Sequence, residues 1–315
     1  MLLCRLGITK VLYFHLFVAL YITKQCISLS TSQVHLDSFP DRRSVVESIV
    51  AVNVGIPLLK DSHNNGDNSA LLQVVTDPNT YSALAYESVV KNEKSERKPL
   101  ILVLHGAGRQ NKDILSDLGD PNGEHAGLIP SLIAANEAPK ELTENFSVLA
   151  PYAFGKTSFY QDSRSTLLQF VDWAKNNQGT ESCPITFDPN RIILFGFSDG
   201  ATVAVELLTT RRFIGGVICS YGFSGQTLPK QALDRLSNVP MWIFHSADDV
   251  IFDVNNSDRL YNQLLSVTLS NLLKYSRFDQ DPEHLPKRVQ GHSMGITASK
   301  NSQVYEWMLN LQPLT

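Results

Sequence analysis

The stretch RIILFGFSDGATVAVELLTT, Arg191 to Thr210, decides how the chain is read. It opens as an apolar run, crosses Gly196-Phe197-Ser198-Asp199-Gly200, and continues with Val and Leu at helical spacing. This reads as a strand turning sharply into a helix, with Ser198 at the apex. An apex residue there is forced toward positive φ, and the backbones approach so closely that the positions two before and two after it must be small. Gly196 and Gly200 meet that demand. The stretch is either a tight turn and nothing more, or an elbow that holds up a nucleophile. The tripeptide spacing alone arises by chance in long chains, whereas its placement between an apolar strand and an apolar helix is far more specific.

Outward from this stretch, the chain from about residue 82 alternates short apolar runs with helical patterns, as parallel βαβ construction requires. The strand candidates are SALAYESVV, LILVLHG, SVLAPYA, RIILFGFS, FIGGVICS, VPMWIFHS and LLKYSRF. Between them, Leu167, Phe170, Val171 and Ala174 form one helical stripe, and Val304, Trp307, Met308 and Leu311 form another. Such stripes are core. The expected class is α/β, a mostly parallel central sheet with helices on both faces. It occupies residues 82–315 as a single catalytic domain, with 29–81 as an N-terminal extension and loop. Within that extension, SVVESIVAVNVGIPLL reads as either an edge strand or a helix, and DSHNNGDNS as a surface loop. The connection from LILVLHG to SVLAPYA is long and is expected partly to overhang a site.

Ligands of parallel sheets bind beyond the carboxyl ends of strands, so the residues there carry the functional reading. A serine hydroxyl needs a base to take its proton and an acid to orient that base. In nucleophile-elbow enzymes the chain order is Ser, acid, His. Three histidines follow Ser198: His245 stands before the acids, His284 lies in a polar loop, and His292 lies between glycines just ahead of the last helix. His292 is the expected base, carried on a mobile loop. Asp248 and Asp249 both follow the strand PMWIFHS, and spacing barely separates them. The oxyanion of an acyl-transfer intermediate needs two preorganised N–H donors. One is expected from Asp199, after the nucleophile, and the other from Ala107 in the glycine-flanked loop HGAG. That loop carries neither a dinucleotide fingerprint nor a Walker lysine, so nucleotide binding is discounted.

Composition narrows the class further. The chain has 315 residues, is 43% hydrophobic and carries a net charge of −4. No basic cluster suits a phosphate backbone, so nucleic acid is not an expected partner. Residues 1–28, with Arg5 and Lys10 ahead of VLYFHLFVALYI, read as a secretory signal peptide or an uncleaved membrane anchor. A secreted or membrane-anchored glycoprotein is therefore expected, with sequons at Asn145 and Asn255. Cys183 and Cys219 fall near opposite strand ends, about 20 Å apart at ~3.3 Å per residue, and are expected to be free, buried thiols. Neither they nor Cys4 and Cys26 show metal-ligand spacing with histidine. No metal or cofactor is expected.

With LHGAG, GFSDG, HSADD and GHS in this order, the sequence resembles the α/β-hydrolase superfamily over about residues 82–312. The likeness is to its carboxylesterase, acyl-protein thioesterase and predicted-peptidase branches. It implies an α/β-hydrolase fold and a serine hydrolase acting on small-molecule esters. It also implies Ser198 as nucleophile, Asp249 rather than Asp248 as acid, His292 as base, and Ala107 and Asp199 as oxyanion donors. Two departures stand out: Ser246 where glycine is usual, and Asp199 to Ala201 where thioesterase-like members read Gln-Gly-Gly. Thioesterase and peptidase activity on the same triad, and a non-catalytic binding module, remain alternatives. Strand-end aromatics, chiefly Tyr152, Phe159 and Tyr221 with Phe154, Tyr160 and Phe223, are expected to line the substrate pocket.

Overall fold

Strands covered on both faces read as unbroken apolar runs rather than alternating ones, and Leu100–Leu104 and Ile192–Phe197 are of that kind. The structure, a computed structural model, describes residues 72–88, 90, 97–108, 113–156, 158–222, 227–284 and 286–312. The signal or anchor segment, the stretch 44–59, Cys4, Cys26 and Phe223 lie outside them. The described residues belong to one unit, Asn65–Thr315.

Eight strands form one sheet: β1 (Gln73–Thr76), β2 (Ser82–Tyr86), β3 (Leu100–Leu104), β4 (Ser147–Tyr152), β5 (Ile192–Phe197), β6 (Gly215–Cys219), β7 (Met241–Ser246) and β8 (Leu273–Phe278). The order is β1-β2-β4-β3-β5-β6-β7-β8. The pairs β1–β2 and β2–β4 are antiparallel, and every other pair is parallel. The seven expected strands are β2 to β8. The sheet nevertheless begins ahead of residue 82, because QVVT pairs with β2 as an edge strand. It buries only Val75, so its pattern is too short and too polar to stand out in sequence.

The pleat divides the core in two. Leu100, Leu102 and Leu104 of β3 face one layer with Ile192 and Leu194 of β5. That layer is covered by α3 (Arg164–Asn177), α4 (Asp199–Leu208), α5 (Lys230–Leu236) and α6 (Asn255–Leu265). Ile101, Val103, Ile193 and Phe195 face the other layer, where α1 (Ile129–Ala134), α2 (Lys140–Asn145), α7 (Met294–Ser299) and α8 (Ser302–Leu309) lie. Both expected helical stripes are in these layers. Cys183 and Cys219 are buried and unbridged. Among the described residues no helix is long and apolar enough to cross a membrane.

This topology puts β5 in the middle of the parallel part, with Ser198 just past its carboxyl end. The ends of β3, β6 and β7 flank it. Groups widely separated in the chain therefore meet at one rim.

Candidate active site

Ser198 has φ 57° and ψ −122°, a strained combination for a residue with a Cβ. The bend is held from both sides: the Ser198 N–H donates to the carbonyl of Cys219 on β6, and the Ser198 carbonyl accepts from Ala201 as α4 begins. Gly196 and Gly200 are needed for contact rather than for dihedral freedom. A Cβ on Gly196 would come within 2.5 Å of the Gly200 carbonyl oxygen, and one on Gly200 would overlap the carbonyls of Leu104 and His105. The elbow is thus wedged against the end of β3.

Ser198 Oγ lies 2.8 Å from Nε2 of His292, and His292 Nδ1 lies 2.8 Å from Oδ2 of Asp249. Asp249 Oδ1 accepts the backbone N–H groups of Ile251 and Phe252 at 2.8 and 2.9 Å. Burial pushes the Asp249 carboxyl toward its neutral form, but the bonds from His245, His292 and the Phe252 N–H outweigh it and hold the pKa at about 2. The neighbouring Asp248 turns elsewhere. Its oxygens take bonds from Ser246 Oγ, the Asp281 N–H and Gln290 Nε2.

That network bears on His292. The sequence suggests a mobile loop there, and in the structure that loop is tied at several points. Asp281 Oδ2 accepts both the N–H and the hydroxyl of Ser293, while Asp248 takes the Asp281 N–H. The Val250 N–H bonds the Gln290 carbonyl. Gly291 has φ +75° and lies so close to the backbone of Asp248 and Asp249 that no Cβ fits. The imidazole is therefore clamped from the chain on both sides. Ser246, which departs from the usual glycine, supplies one of the bonds that orient Asp248.

Sequence reasoning missed His245. It is fully buried, with Nδ1 2.7 Å from Ser257 Oγ and Nε2 2.9 Å from the Phe252 carbonyl and 3.3 Å from Asp249 Oδ2. Both neighbours of Nε2 are acceptors, so Nε2 carries a hydrogen and steadies the acid. The one signal for this role is its place four residues before Asp249.

Of the expected donors, Asp199 follows Ser198 in the chain and Ala107 follows Gly106 of the HGAG loop. Asp199 opens α4, where the first N–H groups have no intrahelical partner. The Gly106 position approaches Ser198 closely, with an added Cβ 3.0 Å from that of the serine, so the HGAG loop adjoins the nucleophile. His105 is buried beneath this loop. Its Nε2 accepts the Ala153 N–H at 3.3 Å, which leaves Nδ1 to donate to the Gly106 carbonyl at 2.7 Å. That carbonyl shares a peptide plane with the Ala107 N–H, so the bond fixes the direction in which the donor points.

Burial and the neighbouring His125 lower the His105 pKa from 6.5 to about 3. The unfolded chain binds this proton near pH 6.5 and the folded one does not, so the contribution to stability is full above that pH. It falls as pH drops toward 3, by at most about 1.4 kcal/mol per unit. Burial shifts His125 in the same direction. Urea unfolding at pH 7 and pH 5 should show the wild type losing stability on acidification, and His105→Gln should flatten that slope.

The aromatic expectations are corrected. Tyr152, Phe159 and Tyr221 are only 2, 0 and 3% exposed. Tyr152 gives its hydroxyl to Asp117, and Phe159 packs on His105 and Tyr81. These rings are core because the strand ends are covered by the following segments. Phe154 and Tyr160 are the open ones, at 65 and 50%. Asp199 is half-buried. Burial raises its pKa, opposed by the neighbouring Ser158 hydroxyl and His292. Among the described residues no three His, Cys, Asp or Glu side chains converge as a metal site.

The sequence model of the Phospholipase/Carboxylesterase family matches residues 85–290, about two thirds of the chain, ending just before His292. No curated protein matches significantly. Among solved structures, a thermostable esterase superposes with a TM-score of 0.57 at 19% identity, over 77% of this chain and 63% of its own. The chain thus spans less than two thirds of that esterase. A Pyrococcus furiosus esterase gives a TM-score of 0.49 at 18% identity, over 80% of this chain and 97% of its own.

Proposed function

The chain belongs to the Phospholipase/Carboxylesterase family of α/β-hydrolases, and from that premise we propose that it is a serine hydrolase cleaving carboxylic esters through an acyl-enzyme. One observation carries the reading: the continuous row Asp249, His292, Ser198, with 2.8 Å at each step.

The chemistry follows from that row. Asp249 accepts the Nδ1 hydrogen of His292, so Nε2 is left as a base facing the hydroxyl. Ser198 Oγ attacks the ester carbonyl carbon while its proton passes to His292 Nε2. The carbonyl oxygen becomes an oxyanion held by the N–H groups of Ala107 and Asp199, where each well-placed donor contributes about 3 kcal/mol. Collapse breaks the bond to the leaving oxygen, which takes the proton from His292 and departs as the alcohol. Water then gives a proton to the same nitrogen and attacks the acyl carbon. Release of the acid returns the proton to Ser198. The strain at Ser198 holds the hydroxyl at the site in readiness, so little reorganisation precedes attack.

The same row serves thioesters and amides, so bond preference is decided by kinetics. We expect kcat/KM to be highest for short carboxylic esters when matched ester, thioester and anilide substrates are compared. A fluorophosphonate probe should label the wild-type protein and be blocked by prior incubation with ester. Higher kcat/KM for the thioester or anilide would reassign the substrate class, and failure to label would remove the nucleophile.

A further inference from the structure

The turn that follows Asp249 carries a half-buried phenyl ring, that of Phe252. This residue meets the site at three points. Its N–H donates to Asp249 Oδ1 at 2.9 Å and its carbonyl accepts from His245 Nε2 at 2.9 Å. Its ring stands edge-to-face against the His292 imidazole, with centroids 5.3 Å apart and planes at 83°. Any residue at this position could make the first two contacts, whereas the third belongs to the side chain. A second ring reaches the imidazole from another segment: Phe197, at the end of β5, lies 5.2 Å away, centroid to centroid, at 41°.

The Phe252 ring is itself seated by the sheet. Gly222 lies just past the end of β6, and a Cβ there would overlap three atoms of that ring. Its φ is not positive, so the glycine serves close approach rather than backbone freedom. The end of β6 thus holds the nucleophile through the Cys219 carbonyl and, three residues later, seats the ring that packs on the base.

Hydrogen bonds at Nδ1 and Nε2 locate two atoms of the imidazole but leave it free to tip about the line between them. Side-chain packing opposes that motion. The need for it grows along the reaction. Once Ser198 Oγ is acylated it has no hydrogen to give, so Nε2 loses that bond while water is being activated. His292 then keeps Asp249 and the two packed rings. A base misplaced by about 1 Å at this stage can cost roughly a hundredfold in rate.

We propose that Phe252 is a positioning residue whose ring, seated on Gly222, holds the His292 imidazole in line through acylation and deacylation. The proposal rests on the serine-hydrolase reading of the Ser198 site and adds a part to it.

Phe252→Ala tests it, because alanine keeps both backbone bonds and removes only the ring. Per active site titrated with a fluorophosphonate, kcat for p-nitrophenyl acetate should fall by about tenfold or more, with KM no higher than in the wild type. A residue that only bound substrate would raise KM, and one that only stabilised the fold would leave kcat per active site unchanged. Gly222→Ala displaces the ring without altering it and should also lower kcat by about tenfold. The two effects should not add: in the Phe252→Ala background, Gly222→Ala should change kcat by less than about twofold, since no ring is left to displace. A kcat for folded Phe252→Ala within about threefold of wild type overturns the proposal, and so does a Gly222→Ala loss that is the same with and without the ring. If Phe252→Ala does not fold, Phe252→Leu, which fills much of the space and lacks the ring edge, decides by the same kcat criterion. If Gly222→Ala does not fold, the Phe252 variant alone decides. Absence of both hydrolysis and fluorophosphonate labelling in the wild type would instead remove the serine-hydrolase reading, and this proposal with it.

Discussion

Ser198→Ala is expected to lower kcat/KM for short p-nitrophenyl esters by about ten-thousand-fold or more, and to abolish fluorophosphonate labelling. The magnitude follows from what remains. The oxyanion donors and the pocket persist, but the atom that forms the acyl bond is gone, and only direct attack by water is left. The fold should survive, because the Ser198 N–H bond to Cys219 and the carbonyl bond to Ala201 are backbone contacts that alanine retains. A melting temperature close to wild type would show that the loss is chemical. Labelling that persists in a folded Ser198→Ala protein would overturn the nucleophile assignment.

Asp249→Asn is the second large effect, an expected loss of about ten-thousand-fold in kcat with little change in KM. The structure supplies the reason. Oδ1 of Asp249 is fixed by two backbone N–H groups, from Ile251 and Phe252. An asparagine must put its carbonyl oxygen there, so its NH2 faces His292 Nδ1 and His245 Nε2. That amide donates to Nδ1, which places the His292 hydrogen on Nε2, against the serine hydroxyl. The base is then in the wrong tautomer with its geometry intact. Asp248→Asn serves as the comparison. It disturbs bonds to Ser246, Asp281 and Gln290, so its effect should appear mainly in stability. Steady-state kinetics and urea unfolding on both variants separate the roles. Activity of Asp249→Asn within tenfold of wild type would remove Asp249 as the acid.

Much of this architecture was readable in advance, and the reasons are local. β3 to β7 are apolar along nearly their whole length because parallel strands are covered on both faces. The stripes of α3 and α8 follow the helical period. Gly196 and Gly200 announce the bend because no other residue fits between β5, α4 and the end of β3. β1 was not legible, since one buried valine makes no pattern. The aromatics misled for a related reason. A strand-end ring reads the same whether the next segment leaves it open, as at Phe154, or covers it, as at Tyr152.

The site divides along the same line. Sequence by itself determined the strand-bend-helix that raises Ser198, the order of acid and base after it, and the family to which the chain belongs, because each is written in neighbouring residues or in their succession. Spacing left the two adjacent aspartates unseparated and only the resemblance favoured Asp249; tertiary structure brings Asp249 to the imidazole, shows that His245 supports it, and shows that Asp281 and Gly291 clamp the loop of His292. These depend on how β7, the turn after it and the segment before α7 lie against one another. Contacts between segments 33 and 43 residues apart, Asp248 with Asp281 and Asp249 with His292, have no local signature, since their energy arises only when the sheet brings the segments together.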